Sequence, residues 1–441
     1  MLKIICRVLF CCVFLFHFSP AFSQSSTDSL IQSASLQTCI EYAVKHYPLI
    51  QQSQLDEQIT EHQIKSRLSA WYPQISFSGI YQNNFQPTTA LFNGNYVRTA
   101  PFNSSSIGLG GTQNIFTRDL LLASRSANDV RKQVRQSTIL NKIDLVANVS
   151  KAFYDVLLTQ KQIDLLDEDI VRLERSHKDA YNQYQGGIVD KTDYKRALIA
   201  LNNSKAQKKS EEELLKAKIA NLKLQMGYTG ENEVTLLYDS TQMEKEVLID
   251  TNQIVDYNKR IEYQQLLTQK RLQEENLEYN KWSLLPTVSL FANYNLLYLS
   301  NQFSNLYSQS FPNSFGGLQL SLPIFQGTKR IHDIHTAKLQ VTRADWDIIA
   351  AKNNINTQYT SAMAAYKSYL NDYFVMRANV ELAKEVYQTL ELQYKAGIKT
   401  YLDVITAETD LRNAQSNYTN ALYQVLSSKV DVQKALGNIQ Y

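Results

Sequence analysis

Four short segments of this chain alternate between apolar and polar side chains, and they lie in two pairs. In the first pair, segment 74–82 has an apolar or small residue at every second position, and segment 105–113 follows a polar loop. Segments 287–297 and 315–323 form the second pair. A period of two is typical of a strand with one apolar and one polar face. We expect four strands of about 9 to 11 residues, the length that crosses a bilayer when tilted.

Outside these segments the apolar period is that of helices. Leu166, Ile170 and Leu173 step by four and three residues, and residues 102–285 contain no proline. Helices of about 66 residues are about 100 Å long at 1.5 Å per residue, and the shorter helices stacked end to end span the same length. The predicted helices are 36–70, 118–184, 190–226, 253–283, 329–394 and 400–436.

The chain is a tandem duplication. Segment 183–203 resembles segment 393–413 at an offset of 210 residues, which matches Gly187 to Gly397. The stretches around the first strand of each half also resemble each other, and in both halves they precede the turn. Each half is therefore predicted to run helix, strand, strand, long helix, turn, helix. The expected organisation is a first structural repeat at 36–227, an equatorial linker region at 228–252, a second structural repeat at 253–437 and a C-terminal tail at 438–441.

The first residues have the pattern of a secretory signal. Lys3 and Arg7 precede a nearly apolar run at 9–18, and small residues then lead to an expected cleavage before Gln24. The apolar run is too short to span a membrane. We expect residues 1–23 to be a signal peptide and 24–35 to be a flexible N terminus.

Charge and cysteine content exclude two further classes of protein. Without Lys3 and Arg7 the mature chain has 43 basic residues against 42 acidic residues, a formal charge of +1. No electrostatic footprint for nucleic acid remains. Cys39 is the one cysteine beyond the signal, so an intrachain disulfide framework is excluded.

Four strands cannot cross a membrane alone, because an open sheet leaves backbone groups unpaired in lipid. The smallest usual barrel has eight strands, so this barrel must be shared between chains. Side chains largely fill an eight-stranded barrel, as in a dimer, whereas a twelve-stranded trimer leaves a conduit. The long helices, with two adjacent apolar stripes, likewise fit a ring in which each helix packs on two neighbours.

The duplicated helix–hairpin–long helix plan, the Tyr-x-x-Gly-Ile turns and the Tyr-Pro before a strand resemble the TolC-like outer-membrane efflux protein family, over residues 36–437. The resemblance implies a mainly α fold with a membrane β-barrel, namely a trimeric twelve-stranded barrel continued by an α-helical periplasmic tunnel. It implies an exit duct of a tripartite efflux or type I secretion system, which is not an enzyme. Its implied partners are two more copies, outer-membrane lipid, a periplasmic adaptor protein and an inner-membrane pump.

The resemblance also implies roles for the two turns. Gly187 and Ile188 match one periplasmic hairpin tip of the family, and Gly397 and Ile398 match the other. Glycine suits a turn that needs a positive φ or the close approach of a partner backbone. These four residues are therefore expected to dock the adaptor.

One acid beside the second turn matches the family's entrance. Asp403 in three copies makes a carboxylate ring, a cation-selective constriction. Some members carry a second aspartate where this chain has Thr406, so a doubled ring is not expected. Lys399 is a candidate to hold the closed state by pairing with an acid. Asp193, the repeat mate of Asp403, is a candidate to cap or pair at the outer tip.

Catalytic and metal sites are weakly represented. His332 and His335 are three residues apart, with Asp333 as the nearest oxygen ligand, which is a poor donor set for a metal. Nucleotide-binding, serine-hydrolase and Cys-x-x-Cys motifs do not occur, and we expect no cofactor. The alternative functions are an exported coiled-coil stalk or adhesin and a stand-alone diffusion porin.

Overall fold

The computed structural model describes residues 33–228, 235–236 and 240–441. The expected signal peptide and most of the expected flexible N terminus lie outside the described residues. In chain order the first half contains β1 Ser33–Ala34, α1 Leu36–His46, α2 Pro48–Leu68, β2 Gln74–Asn83, β3 Thr89–Phe92, β4 Asn95–Arg98, β5 Asn103–Phe116, α3 Arg118–Gln185 and α4 Lys191–Met226. The remainder contains β6 Thr235–Leu236, α5 Ser240–Glu246, α6 Ile261–Lys281, β7 Thr287–Ser300, β8 Ser310–Ser321, α7 Lys329–Lys395 and α8 Tyr401–Leu436.

Two long antiparallel helical hairpins form most of the molecule. The first pairs α3 with α4, and the second pairs α7 with α8. Helices α2 and α6 pack on α3 and α7 in the half of the molecule nearer the strands. The 68 residues of α3 give a length of about 100 Å. Because α3 begins directly after β5 and ends at the turn before α4, the sheet and the hairpin tips lie at opposite ends.

The predicted first helix, 36–70, is wrong in one respect, because it is broken at Tyr47. Tyr47 adopts an extended conformation with φ −63° and ψ 127°, and Pro48 occupies the first turn of α2. Proline lacks an N–H for the helical ladder and pushes the preceding residue towards extended backbone. The break lets α1 leave the axis of α2 and pack against the middle of α3.

The largest apolar core surrounds the middle of the rod. Val149, Val156 and Leu157 of α3 are buried there against Met226 and Leu426. Cys39 is also fully buried in this core, and burial raises the pKa of its thiol to about 12. The C-terminal ends of α4 and α8 meet α1 at this level, so the core joins both repeats.

Tyrosines at heptad spacing follow one face of α7. Tyr359, Tyr366 and Tyr373 are seven residues apart, and two more follow after one gap. The Tyr359 hydroxyl donates to the carbonyl of Gln253 over 2.5 Å, and the Tyr366 hydroxyl donates to the carbonyl of Val247 over 2.8 Å. Tyr359 and Tyr366 thus fix the segment that follows α5 to the long helix α7.

The four long strands form one antiparallel sheet in the order β2-β5-β7-β8. Strands β5 and β7 have 14 residues each, more than the predicted segments, and β8 begins at Ser310, ahead of the predicted segment 315–323. Pro312 lies within β8. The outer edges of the sheet, β2 and β8, have no strand partner within the described residues of this chain.

The pairing register separates an apolar face from a mostly polar one. Phe77 lies opposite Leu109, and Leu109 lies opposite Tyr294, so these side chains share a face. Residues one position away point to the other face. The first face carries Ile75, Phe77, Tyr81, Ile107, Leu109, Leu290, Tyr294, Leu296 and Leu318, with Asn103, Ser105, Ser310 and Ser314 as polar exceptions. The second face carries Ser76, Ser78, Ser106, Thr112, Ser289, Asn293, Asn295 and Gln319, with Ile80, Leu297, Leu299, Phe291, Phe311 and Phe315 as apolar exceptions.

The loop between β2 and β5 contains a short hairpin that the sequence analysis missed. Strands β3 and β4 pair through Asn93 and Gly94, which have φ values of 49° and 79°. Asn-Gly at a two-residue turn is a strong hairpin signal, because both positions need a positive φ. The aromatic side chains of Phe92 and Tyr96 are exposed here.

Among the helices of the described residues, none combines the length and the apolar character needed to cross a membrane.

Candidate functional site: the helical hairpin tips

The two hairpin tips have the same backbone geometry. At the first tip, the Ile188 N–H donates to the Gln183 carbonyl over 2.9 Å, and the Gly187 N–H donates to the Tyr184 carbonyl over 3.0 Å. This pair of bonds is the Schellman motif, which requires a left-handed residue after the helix end. Gly187 meets that requirement with φ +71°.

The second tip repeats these contacts at the predicted offset. Ile398 donates to the Gln393 carbonyl and Gly397 to the Tyr394 carbonyl, each over 2.9 Å. Gly397 has φ +75°. Both turns therefore end a long helix and start a shorter one by the same route.

The tips are open to a partner. Ile188 is 77% exposed and Ile398 is 72% exposed. A Cβ added to Gly187 or Gly397 meets no atom within 4 Å. Each tip therefore presents an isolated apolar side chain beside a bare stretch of backbone, and a larger residue at either glycine has room but takes up a strained φ.

The helices after the turns are capped differently. The Asp190 carboxylate accepts the Thr192 N–H over 2.7 Å and caps α4. In the second repeat Thr400 takes that position and forms a capping box with Asp403. The cap of the first tip is therefore Asp190, whereas Asp193, the residue that the sequence analysis considered, is half-buried and donates its N–H to the Asp190 carbonyl.

The Asp403 carboxylate is held inside its own turn. It accepts the Thr400 hydroxyl over 2.8 Å and the Thr400 N–H over 3.0 Å. These two bonds, with a smaller contribution from the charge of Lys399, lower the pKa of Asp403. Lys399 is exposed beside this turn. Asp403 is thus ionised and fixed in position.

A side-chain hydrogen bond joins the two tips within the protomer. The Tyr394 hydroxyl donates to Gln183 Oε1 over 2.7 Å, from the last turn of α7 to the last turn of α3. Gly187 and Gly397 otherwise lie on separate hairpins.

The histidine pair lies elsewhere. His332 and His335 are exposed in the first turns of α7, at the end of the rod near the sheet. Asp333 is paired with Lys329. Within the described residues no three His, Cys, Asp or Glu side chains are grouped so that they hold a metal ion.

A buried charge cluster above the tips was missed by the sequence analysis. Asp169 of α3 contacts Arg172 Nη2 over 3.2 Å and accepts the Ser204 hydroxyl of α4 over 2.8 Å. Arg412 of α8 donates to the same hydroxyl over 2.9 Å. Glu408 lies one helical turn before Arg412, and its Oε1 is 3.7 Å from Arg172 Nε. The only sequence signal was a charged residue, Asp169, within an otherwise apolar helical stripe.

Comparisons with known proteins agree with this geometry. The model of the outer membrane efflux protein family matches residues 39–227 and 262–438, which is well over half of the chain. The outer membrane protein TolC of Escherichia coli (strain K12) is 22% identical over 443 residues, covering 95% of this chain and 85% of that protein. The proteases secretion protein PrtF of Dickeya chrysanthemi is 22% identical and covers 67% of this chain and 64% of that protein.

A solved structure has the same fold. The outer membrane protein VceC from Vibrio cholerae superposes with a TM-score of 0.70 at 13% identity, covering 91% of this chain and 96% of that chain. This likeness confirms the expected fold class, a mainly helical chain with a sheet at one end. Channels of this type are trimeric, work with efflux or secretion systems and are not enzymes. The chain belongs to the outer membrane efflux protein family, and it is an outer-membrane exit duct of an efflux or type I secretion system.

Proposed function

We propose that three copies of this chain close a twelve-stranded barrel in the outer membrane, with β2 of one copy pairing with β8 of the next. Four strands in each of three chains give twelve. The support is the open state of both sheet edges, since an unpaired edge is not tolerated in lipid. In this barrel the apolar face of the sheet contacts lipid and the mostly polar face lines the lumen.

The helices continue the barrel as a tunnel into the periplasm. The observation that carries this proposal is the placement of an edge-open sheet and two matched tips at opposite ends of helices about 100 Å long. The tips then lie far from the outer membrane. There, Gly187, Ile188, Gly397 and Ile398 dock a periplasmic adaptor protein, which connects the duct to an inner-membrane pump.

Planar bilayer recordings of the purified protein test the duct. We expect a trimer that inserts and conducts weakly until its entrance opens. An exported stalk or adhesin gives no conductance, and a stand-alone diffusion porin gives a large constitutive conductance and needs no adaptor.

Asp403 is the proposed entrance gate, with Lys399 beside it. Three Asp403 carboxylates around the threefold axis form a ring that favours cations. The capping bonds from Thr400 keep each carboxylate ionised and in one position. Lys399, which has no ion-pair partner among the described residues, pairs with an acid of a neighbouring helix in the closed state.

Replacing Asp403 is expected to lower the cation preference of the conducting trimer and to weaken block by multivalent cations. Asp403→Asn separates charge from capping, because the amide oxygen still accepts the Thr400 bonds while the charge is lost. Asp403→Ala removes both. We expect the two variants to lose selectivity equally. Thr406→Ala should match the wild type, since the Thr406 hydroxyl donates to the Leu402 carbonyl of its own helix. Unchanged selectivity and block in Asp403→Asn contradict the gate and leave the duct untouched.

A further inference from the structure

We propose that Glu408 is a proton-controlled contact, which packs α8 firmly on the α3–α4 hairpin when its carboxyl group is protonated and loosens it when the group is ionised. The contact lies within one chain and does not depend on adaptor docking.

The first support is the isolation of this carboxyl group. Glu408 is only 3% exposed, and neither of its oxygens has a hydrogen-bond partner in the part of the chain that the structure describes. Its nearest cation, Arg172 Nε, is 3.7 Å away, beyond hydrogen-bond distance. A buried ionised group without hydrogen bonds is strongly unfavourable, whereas the neutral acid costs much less.

The charges around Glu408 come from three helices. Asp169 and Arg172 face it from α3, and Tyr387 and Glu391 face it from α7. Arg412 and Tyr401 lie beside it on α8. From α4 the neutral Ser204 hydroxyl joins the cluster through Asp169 and Arg412.

The two arginines offset the isolation of Glu408 only in part, because Asp169 competes for both of them. Arg172 Nε, which faces Glu408, has no hydrogen-bond partner among the described residues. Asp169 is 1% exposed and lies between them, 3.2 Å from Arg172 Nη2 and 3.8 Å from Arg412 Nη1. Asp169 makes the shorter contacts with the arginines, and its negative charge repels a second negative charge on Glu408. Burial first, and then the Asp169 charge, raise the pKa of Glu408 from 4.5 to about 7, although both arginines oppose the shift.

The direction of the pH effect follows from this raised pKa. Below about pH 4.5 the carboxyl group is protonated whether α8 is packed or displaced, so packing carries no penalty. As the pH rises towards 7, displacing α8 lets Glu408 ionise in water, and above about pH 7 the full penalty applies. Packing is therefore firmest in acid. Because Glu408 lies seven residues beyond Tyr401, the first residue of α8, or about 10 Å along the helix, the position of the second tip follows it.

Hydrogen exchange of the full-length trimer in detergent tests this contact. We expect the protection of amides 401–412, corrected for the intrinsic pH dependence of exchange, to fall about tenfold between pH 6 and pH 8 in the wild type. Glu408→Gln keeps the shape and stays neutral, so its protection is expected to be independent of pH. Asp410→Asn removes an exposed carboxylate from the same helix and should retain the wild-type profile.

A second variant keeps the test informative if Glu408→Gln fails to assemble. Asp169→Asn removes the repelling charge, so the midpoint of the wild-type profile should move to lower pH. The proposal is overturned if the wild type and Glu408→Gln share one pH profile, or if Asp169→Asn leaves the midpoint where it is.

Discussion

Phe77→Arg is expected to cost the assembled protein about 2–4 kcal/mol of stability in the membrane, the range for a basic residue on the lipid face near the bilayer midplane. Phe77 lies in the middle of β2 on the apolar face of the sheet and is 71% exposed in the protomer. In a closed barrel that exposed ring contacts lipid. The measurement is the yield of folded trimer in the outer membrane, with urea midpoints in micelles or vesicles as the quantitative readout.

The matched control is the next residue. Ser76→Arg introduces the same side chain on the same strand, but the side chain points into the proposed lumen, where water solvates it. The second repeat offers an equivalent pair in Leu290→Arg and Ser289→Arg. Equal assembly yields for Phe77→Arg and Ser76→Arg contradict the assignment of the two faces.

A bulky residue at either hairpin tip is expected to abolish transport while the trimer still assembles. Gly187→Leu and Gly397→Leu meet no neighbouring atom in the protomer, so the added side chain occupies the space that an adaptor needs. The left-handed φ costs only about 1–2 kcal/mol. The readout is complementation of pump-dependent resistance or secretion in cells that lack the chromosomal copy.

Gly94→Leu controls for backbone strain. Gly94 also has a positive φ, +79°, and open space around its Cβ position, but it lies in the β3–β4 hairpin at the other end of the molecule. Its variant should complement fully. If Gly187→Leu and Gly397→Leu also complement, the tips are not the docking contact.

The parts of the fold that sequence periodicity predicts are those with local causes. Alternation around Phe77 and Leu290 predicted the strands, because the pleat alone decides which face of the sheet each side chain points to. The long helices followed from an unbroken apolar period without proline. The break at Pro48 and the turn at Asn93 and Gly94 also have local causes. The residue types at both places, proline and Asn-Gly, favour these structures, but the sequence analysis gave them too little weight.

The residues of the site fall into the same two groups, those with a local sequence signal and those that depend on tertiary packing. Gly187 and Gly397 were found because the duplication places the same turn at an offset of 210 residues. The choice of Asp190 as the first cap depended on competition between two nearby acids, which spacing does not decide. The cluster of Asp169, Arg172 and Glu408 joins residues more than 230 positions apart in the chain, so only packing reveals it.

The mass of the detergent-extracted, crosslinked protein tests the central claim most directly. Purified outer membranes should release the protein only with detergent, and short crosslinkers should trap one species of three protomers. This result is expected because β2 and β8 are open edges within the described residues of one chain, and the proposed barrel covers them with neighbouring copies. Extraction without detergent, or a species that stops at one or two protomers, would contradict a shared twelve-stranded duct.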